Sequence, residues 1–251
     1  MVLAAAHHAN KATNNNDDTY DTEQPNAALS ITMLRPSMVP IVNVMKEFDR
    51  RIQQSQDYNK VRDELLHSLD DEIEKCVDLA VESILTYHKE WEQSASSFDK
   101  ANGYAIGTFS RSSTMKKILK QVLRVHLPSA NIKVLCSQST PGDEGEIMAT
   151  DICANWLPDE SFKKEIRFGK INLVLVGADC ILQGGTGVVN KVGTAELAAC
   201  CKQSNVPIIC CADKWKLWED IYPPALEDIF EVVPSETIDH VLVSVDDKND
   251  K

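Results

Sequence analysis

Between residues 35 and 92 apolar side chains return every three or four positions: Val39, Val42, Met45, Phe48 and Ile52, then Val61, Leu65, Leu69, Ile73, Cys76, Val77, Ala80, Val81, Ile84 and Leu85. That period places them on one face of a helix. Asp63, Glu64, Asp71, Glu72 and Lys75 fill the remaining faces, as a solvated surface does. The stretch therefore reads as one or two long amphipathic helices, and Gln93-Ser94-Ala95-Ser96-Ser97 as a polar connector.

Beyond the connector the period changes. Short apolar runs at Tyr104–Thr108, Ile132–Cys136, Leu173–Val176, Pro207–Cys211 and Val241–Val243 have the length and composition of buried strands. Helical patterns separate them at Met115–Val125, Ile147–Trp156 and 194–203. Strands alternating with helices of about ten residues imply β-α-β units, hence a parallel sheet with helices on its faces. The expected division is a tail at 1–34, a helical domain at 35–98, an α/β domain at 99–245 and an acidic tail at 246–251. Ala, Asn, Asp and Thr dominate the first tail, with the run Asn14-Asn15-Asn16-Asp17-Asp18. It carries too little apolar surface to offset its ordering entropy.

Charge narrows the function classes. Acids outnumber bases 38 to 26, a formal net charge of −12, which disfavours nucleic acid as a main ligand because phosphate backbones are held by Lys and Arg. No apolar run approaches membrane-spanning length, and no secretory or transit signal is expected at the start. The eight cysteines form no C-x-x-C pair and no His stands at finger spacing. They read as reduced thiols in the core of a cytoplasmic protein, with neither a metal nor a cofactor expected.

In an open α/β sheet ligands bind beyond the carboxyl ends of the strands, which directs attention to three loops. The first, Gly107-Thr108-Phe109-Ser110-Arg111-Ser112-Ser113-Thr114, runs from a strand into a helix; it is either a phosphate cradle or a cluster of N-cap hydroxyls. The second, Ser137 to Gly145, is a turn around Pro141-Gly142. The third contains Gly177-Ala178-Asp179 and then Gly184 to Thr194. Asp179 stands at a strand end, where a carboxylate can move a proton on a bound substrate; Lys191 and the amides near Thr194 could hold an anion. The alternative is a tight glycine turn whose amides Asp179 satisfies. A dinucleotide fingerprint would need glycine at Asn190, and Lys191 is misplaced for a P-loop.

Gly177-Ala178-Asp179 with Val189-Asn190-Lys191-Val192-Gly193-Thr194, Ala198 and Val206-Pro207-Ile208 resembles the initiation factor 2B-related family. That family holds the alpha, beta and delta regulatory subunits of translation initiation factor 2B and the isomerases of methylthioribose-1-phosphate and ribose-1,5-bisphosphate. Further matches are Arg35-Pro36-Ser37-Met38, Thr108 to Thr114, Pro141-Gly142-Asp143-Glu144-Gly145 with Met148-Ala149, Pro158-Asp159, and Phe230 to Ser235 with Ile238. The resemblance spans about 35–245. It implies a helical N-terminal domain joined to a Rossmann-like parallel α/β domain of the NagB/RpiA/CoA transferase type.

Departures from the family pattern weigh on function. Where the isomerases carry a Cys paired with the Asp of Gly-Ala-Asp, this chain has Ser110, a poorer proton donor, although Asp179 is kept. The isomerases' Arg-Gly-Ala segment is absent, and Glu-Ser-Arg-Pro becomes Gln138-Ser139-Thr140-Pro141. The stretch from Met148 to Asp179 is short for the strand the family carries there. The resemblance thus implies a regulatory-subunit-like protein that assembles with other initiation factor 2B subunits and with initiation factor 2. The alternatives are a ribose-type sugar-phosphate isomerase working through Asp179, or a sugar-phosphate or nucleotide sensor, with a homodimer possible. Candidate ligand-binding residues are Ser112, Ser113, Asn190, Lys191, Gly193 and Thr194.

Overall fold

A computed structural model describes residues 38–55, 57–128 and 130–244. The tails expected at 1–34 and 246–251 lie outside the described residues, as do Arg35, Pro36 and Ser37 of the family motif. Helix α1 (Val39–Ser55) and helix α2 (Tyr58–Ser94) come first. Asp57 caps α2 by accepting from the Lys60 amide at 3.0 Å. Val44, Met45 and Phe48 of α1 pack on Val61 and Leu65 of α2 and on Trp215, far along the chain. The expected connector shrinks to Ala95 and Ser96, between the end of α2 at Ser94 and the short helix α3 (Ser97–Asn102), which is begun by a reciprocal Ser96–Asp99 capping box.

Six parallel strands form the main sheet: β1 (Tyr104–Thr108), β2 (Ile132–Ser137), β3 (Asn155–Leu157), β4 (Leu173–Val176), β7 (Ile208–Asp213) and β9 (His240–Ser244). Their spatial order is β3-β2-β1-β4-β7-β9. From β1 the chain moves outward through β2 to β3, then returns to the other side of β1 with β4. That reversal between β1 and β4 is the switch point of a doubly wound sheet. A second, antiparallel sheet of β5 (Cys180–Ile181), β6 (Gly187–Lys191) and β8 (Phe230–Pro234) stands beyond the end of β4.

Alternation along the strands divides the core into two layers. Leu173 and Leu175 of β4 face α2, α4 (Ser113–Gln121) and α5 (Glu144–Ile152), whereas Val174 and Val176 face α6 (Asp159–Arg167) and α7 (Thr194–Ser204). The C-terminal half of α2, from Cys76 to Ile84, belongs to the first layer, so the N-terminal helices and the sheet share one core. Seven of the eight cysteines are buried and only Cys153 is exposed. Burial pushes the thiols of Cys76, Cys136, Cys180, Cys201 and Cys210 up to about 12. Among the described residues no helix is long and apolar enough to cross a membrane.

Several expectations are corrected. The helix foreseen at Ile147–Trp156 begins at Glu144 and stops at Ile152, because Cys153 turns left-handed (φ 59°). Asn155–Leu157 then pairs with Leu135–Ser137 as β3, so the stretch before Asp179 keeps its strand. The same stretch also carries α6, which the reading missed; only Phe162, Lys163 and Ile166 face inward from a helix of otherwise polar residues. Gly187–Lys191, read as loop, is β6, paired on one side with β5 and on the other with β8. The helix over Met115–Val125 starts at Ser113 and passes into a π turn at Val122–His126.

Candidate functional site at the carboxyl ends of the strands

The three loops singled out in the sequence converge at the switch point. Ser110, after β1, sits in the left-handed region (φ 64°) and donates its amide to the Ser139 Oγ at 2.7 Å. Ser139, after β2, is also left-handed (φ 67°), fully buried, and donates its own hydroxyl to the Ser137 carbonyl at 2.9 Å. Asp143 (φ 53°) is a third non-glycine residue of this kind. Such conformations cost on the order of 1–2 kcal/mol each and persist where surrounding structure holds them.

What holds the β2 loop is Asp159, at the start of α6. Its carboxylate accepts from the Ser137 hydroxyl (2.6 Å), the Ser139 amide (2.6 Å), and the amide and hydroxyl of Thr140 (2.9 and 2.5 Å). Burial works to raise the Asp159 pKa, but those hydrogen bonds outweigh it and hold the carboxyl below the usual range. Gly145 closes the same loop: a Cβ there would meet the Ser137 carbonyl oxygen at 1.6 Å, so no other residue fits.

The second sheet brings Asn190 and Lys191 to these loops. Asn190 is buried and donates Nδ2 to the Gly177 carbonyl at 2.9 Å, two residues before Asp179. Asp179 itself is half-buried, its amide donating to the Val189 carbonyl at 2.8 Å. Lys191 is buried with its ammonium against the Ser139 carbonyl (2.6 Å), the Pro141 carbonyl and the Glu144 carboxylate. Burial pulls its pKa below the ordinary lysine value and Asp143 opposes the pull. The Glu144 carboxylate in contact with it brings an opposite charge to the site.

The remaining candidates take structural partners as well. Ser112 is the N-cap of α4, its Oγ accepting from the Met115 amide at 3.3 Å, and it lies beside Gly177. Ser113 is exposed on the first turn of α4. Thr194 donates its hydroxyl to the Lys191 carbonyl at 2.6 Å. At the start of α7 the amides of Gly193 and Ala195 both donate, at 2.8 Å, to one carboxylate oxygen of Glu231 on β8. An internal carboxylate therefore occupies the helix N-terminus that the sequence reading left for an external anion. Neither Glu231 nor Asp159 was picked out as a functional residue, since each acts on amides at least 19 positions away.

Ser110, Ser112, Asn190, Lys191, Gly193 and Thr194 thus share one neighbourhood with Asp179, knitted by hydrogen bonds between the loops. Beside it a cleft of about 440 Å³ opens between α6 and α7, floored by Phe109 and Leu197. Lys163 lines it, ion-paired to Glu160 and Glu196 at 2.6 and 2.5 Å. A groove of about 630 Å³ along α2, from Lys60 to Lys75, carries none of the candidate residues. Among the described residues no group of three or more His, Cys, Asp or Glu could hold a metal ion.

Comparison with known proteins places the chain in a family. A family model described as "Initiation factor 2 subunit family" matches residues 1–245. A protein of Pyrococcus furiosus named putative translation initiation factor eIF-2B subunit 2-like is 35% identical over 134 residues, 50% of this chain and 45% of the relative. The ribose 1,5-bisphosphate isomerase of Methanocaldococcus jannaschii is 31% identical over 111 residues, 42% of this chain and 35% of that protein. The match therefore spans less than half the length of either curated relative. Among solved structures, the Pyrococcus horikoshii translation initiation factor eIF-2B aligns over 96% of this chain and 84% of its own with a TM-score of 0.70 at 19% identity. The 5-methylthioribose 1-phosphate isomerase of that organism aligns over 97% and 78% with a TM-score of 0.67 at 14% identity. Both shared folds are those of a helical N-terminal region leading into a doubly wound sheet. With the family model spanning nearly the whole sequence, the chain belongs to the initiation factor 2 subunit family.

Proposed function

We propose that the chain is a regulatory-subunit-like member of the initiation factor 2B guanine-nucleotide exchange complex, acting in the cytoplasm through assembly rather than turnover. Its partners on this reading are the other initiation factor 2B subunits and initiation factor 2. The supporting observation is the state of the strand-end groups, taken with what the family resemblance implies for Ser110. Lys191, the amides starting α7 and the Thr194 hydroxyl all satisfy partners within the chain, and Ser110 stands where the isomerases of the family carry a thiol. A Ser hydroxyl is a far weaker acid than a thiol near neutral pH, so proton transfer with Asp179 loses its second member. The test is native mass spectrometry of the tagged protein purified gently from its own cells, for wild type and Asp179→Asn. Co-purification of exchange-complex subunits with both is expected. A lone homodimer, or loss of assembly in a folded Asp179→Asn protein, overturns the reading.

A second reading, an isomerase or sensor of a ribose-type sugar phosphate, is favoured by one observation. The carboxylate-bearing Asp179 loop is tied to Asn190 and so stands beside Lys191 at the switch point, where such a sheet binds ligands. A phosphorylated ligand carried through purification by the homodimer supports that reading, and interconversion of aldose and ketose phosphates by the purified protein separates isomerase from sensor.

A further inference from the structure

Lys191 ends strand β6 as a buried ammonium, and an ammonium has three N–H donors and no more. Three acceptors from this chain surround it: the carbonyls of Ser139 and Pro141 and the carboxylate of Glu144. Two of these are backbone atoms of the β2 loop, held by Asp159. The third is a side chain on the first turn of α5, and it differs in exposure: the Lys191 side chain is 7% accessible and that of Glu144 37%. Glu144 therefore stands between the ammonium and solvent. Among the described residues it is also the only carboxylate ion-paired with Lys191, so it supplies the countercharge a buried cation requires.

We propose that Glu144 is a built-in counter-anion that keeps Lys191 from holding a phosphate. An incoming phosphate would have to displace the Glu144 carboxylate from the ammonium, and would approach through that like charge with Asp143 beside it. The other anion-holding element nearby, the N-terminus of α7, is closed in the same manner by Glu231. The inference deepens the non-catalytic reading above and shares its site. It is tested by anion binding alone, so its failure leaves the co-purification result standing.

The experiment titrates inorganic phosphate into the full-length protein by calorimetry, at constant ionic strength balanced with chloride. Wild type shows no saturable binding. Glu144→Gln, which keeps the shape and removes the charge, gains phosphate binding at least about tenfold tighter than wild type, the scale of one hydrogen bond to a charged group. Glu144→Gln combined with Lys191→Met loses that gain. Equal binding by wild type and Glu144→Gln overturns the proposal, as does absence of binding in both, or binding that survives Lys191→Met. An uncompensated buried ammonium can prevent folding; refolding yield of Glu144→Gln with and without phosphate is then the readout. Rescue by phosphate that Lys191→Met abolishes supports the counter-anion role, and no rescue refutes it.

Discussion

Replacing Asp159 by Ala removes the acceptor of four hydrogen bonds at once, and the cost can be worked from where the donors lie. Ser137 and Ser139 are buried, at 2% and 0% exposure, so the Ser137 hydroxyl and the Ser139 amide would lose their partner without reaching water. Each such donor costs about 1–3 kcal/mol. Thr140 is exposed, and its amide and hydroxyl rehydrate at little cost. The expected loss is therefore about 2–6 kcal/mol, a large fraction of the stability of an ordinary domain. Urea unfolding followed by tryptophan fluorescence measures it through the midpoint at unchanged slope. The Asp159 carboxyl is held below its unfolded value, so its contribution is complete above about pH 4 and fades as pH falls through the folded value. The difference between wild type and Asp159→Ala should accordingly shrink below pH 4. A loss under about 1 kcal/mol at neutral pH, or a difference that grows on acidification, would refute the reasoning.

Two further outcomes follow from close contacts at the same loops. Gly145→Ala places a methyl group 1.6 Å from the Ser137 carbonyl oxygen, so it should cost more than about 4 kcal/mol, in the range reserved for severe steric faults; soluble expression with a wild-type melting temperature would exclude it. Glu231→Ala leaves the Gly193 and Ala195 amides without their cap, and the melting midpoint should report a loss of about 0.5–2 kcal/mol. Glu231→Gln retains an oxygen acceptor and should recover part of that loss.

Elements were legible in the sequence wherever burial was one-sided or complete. Leu173-Val174-Leu175-Val176 is buried on both faces and was read residue for residue. The helical repeat from Val61 to Leu85 is the inward stripe of α2, apart from some half-buried members. Strand β3 was lost because three residues are too few for a period of two to register, and its Trp156 is exposed. Helix α6 was lost because its inward face is narrow among six charged residues, one of them, Lys163, turned inward to ion pairs. At the site, Asp179, Asn190 and Lys191 were visible as strand-end residues. Their partners were not: Glu231 reaches Gly193 across 38 positions, Asp159 reaches Ser139 across 20, and Lys191 reaches the Ser139 carbonyl across 52. Local pattern carries no information about such pairings, which are created by the topology of two sheets meeting at a switch point.

Helix α2 is about 55 Å long at 1.5 Å per residue, and its two ends are embedded in different packing. Near one end Val61 and Leu65 close the small cluster with α1 and Trp215, whereas Cys76 to Ile84 lie over the main sheet. Glu72 stands between, buried and bonded to Lys214 just past β7 at 2.9 Å. The helix is thus a stiff lever with its fulcrum over β7. In hydrogen exchange the α1 segment should open through a lower-energy local event, while the amides of Val77 to Ile84 exchange only when the sheet itself comes apart.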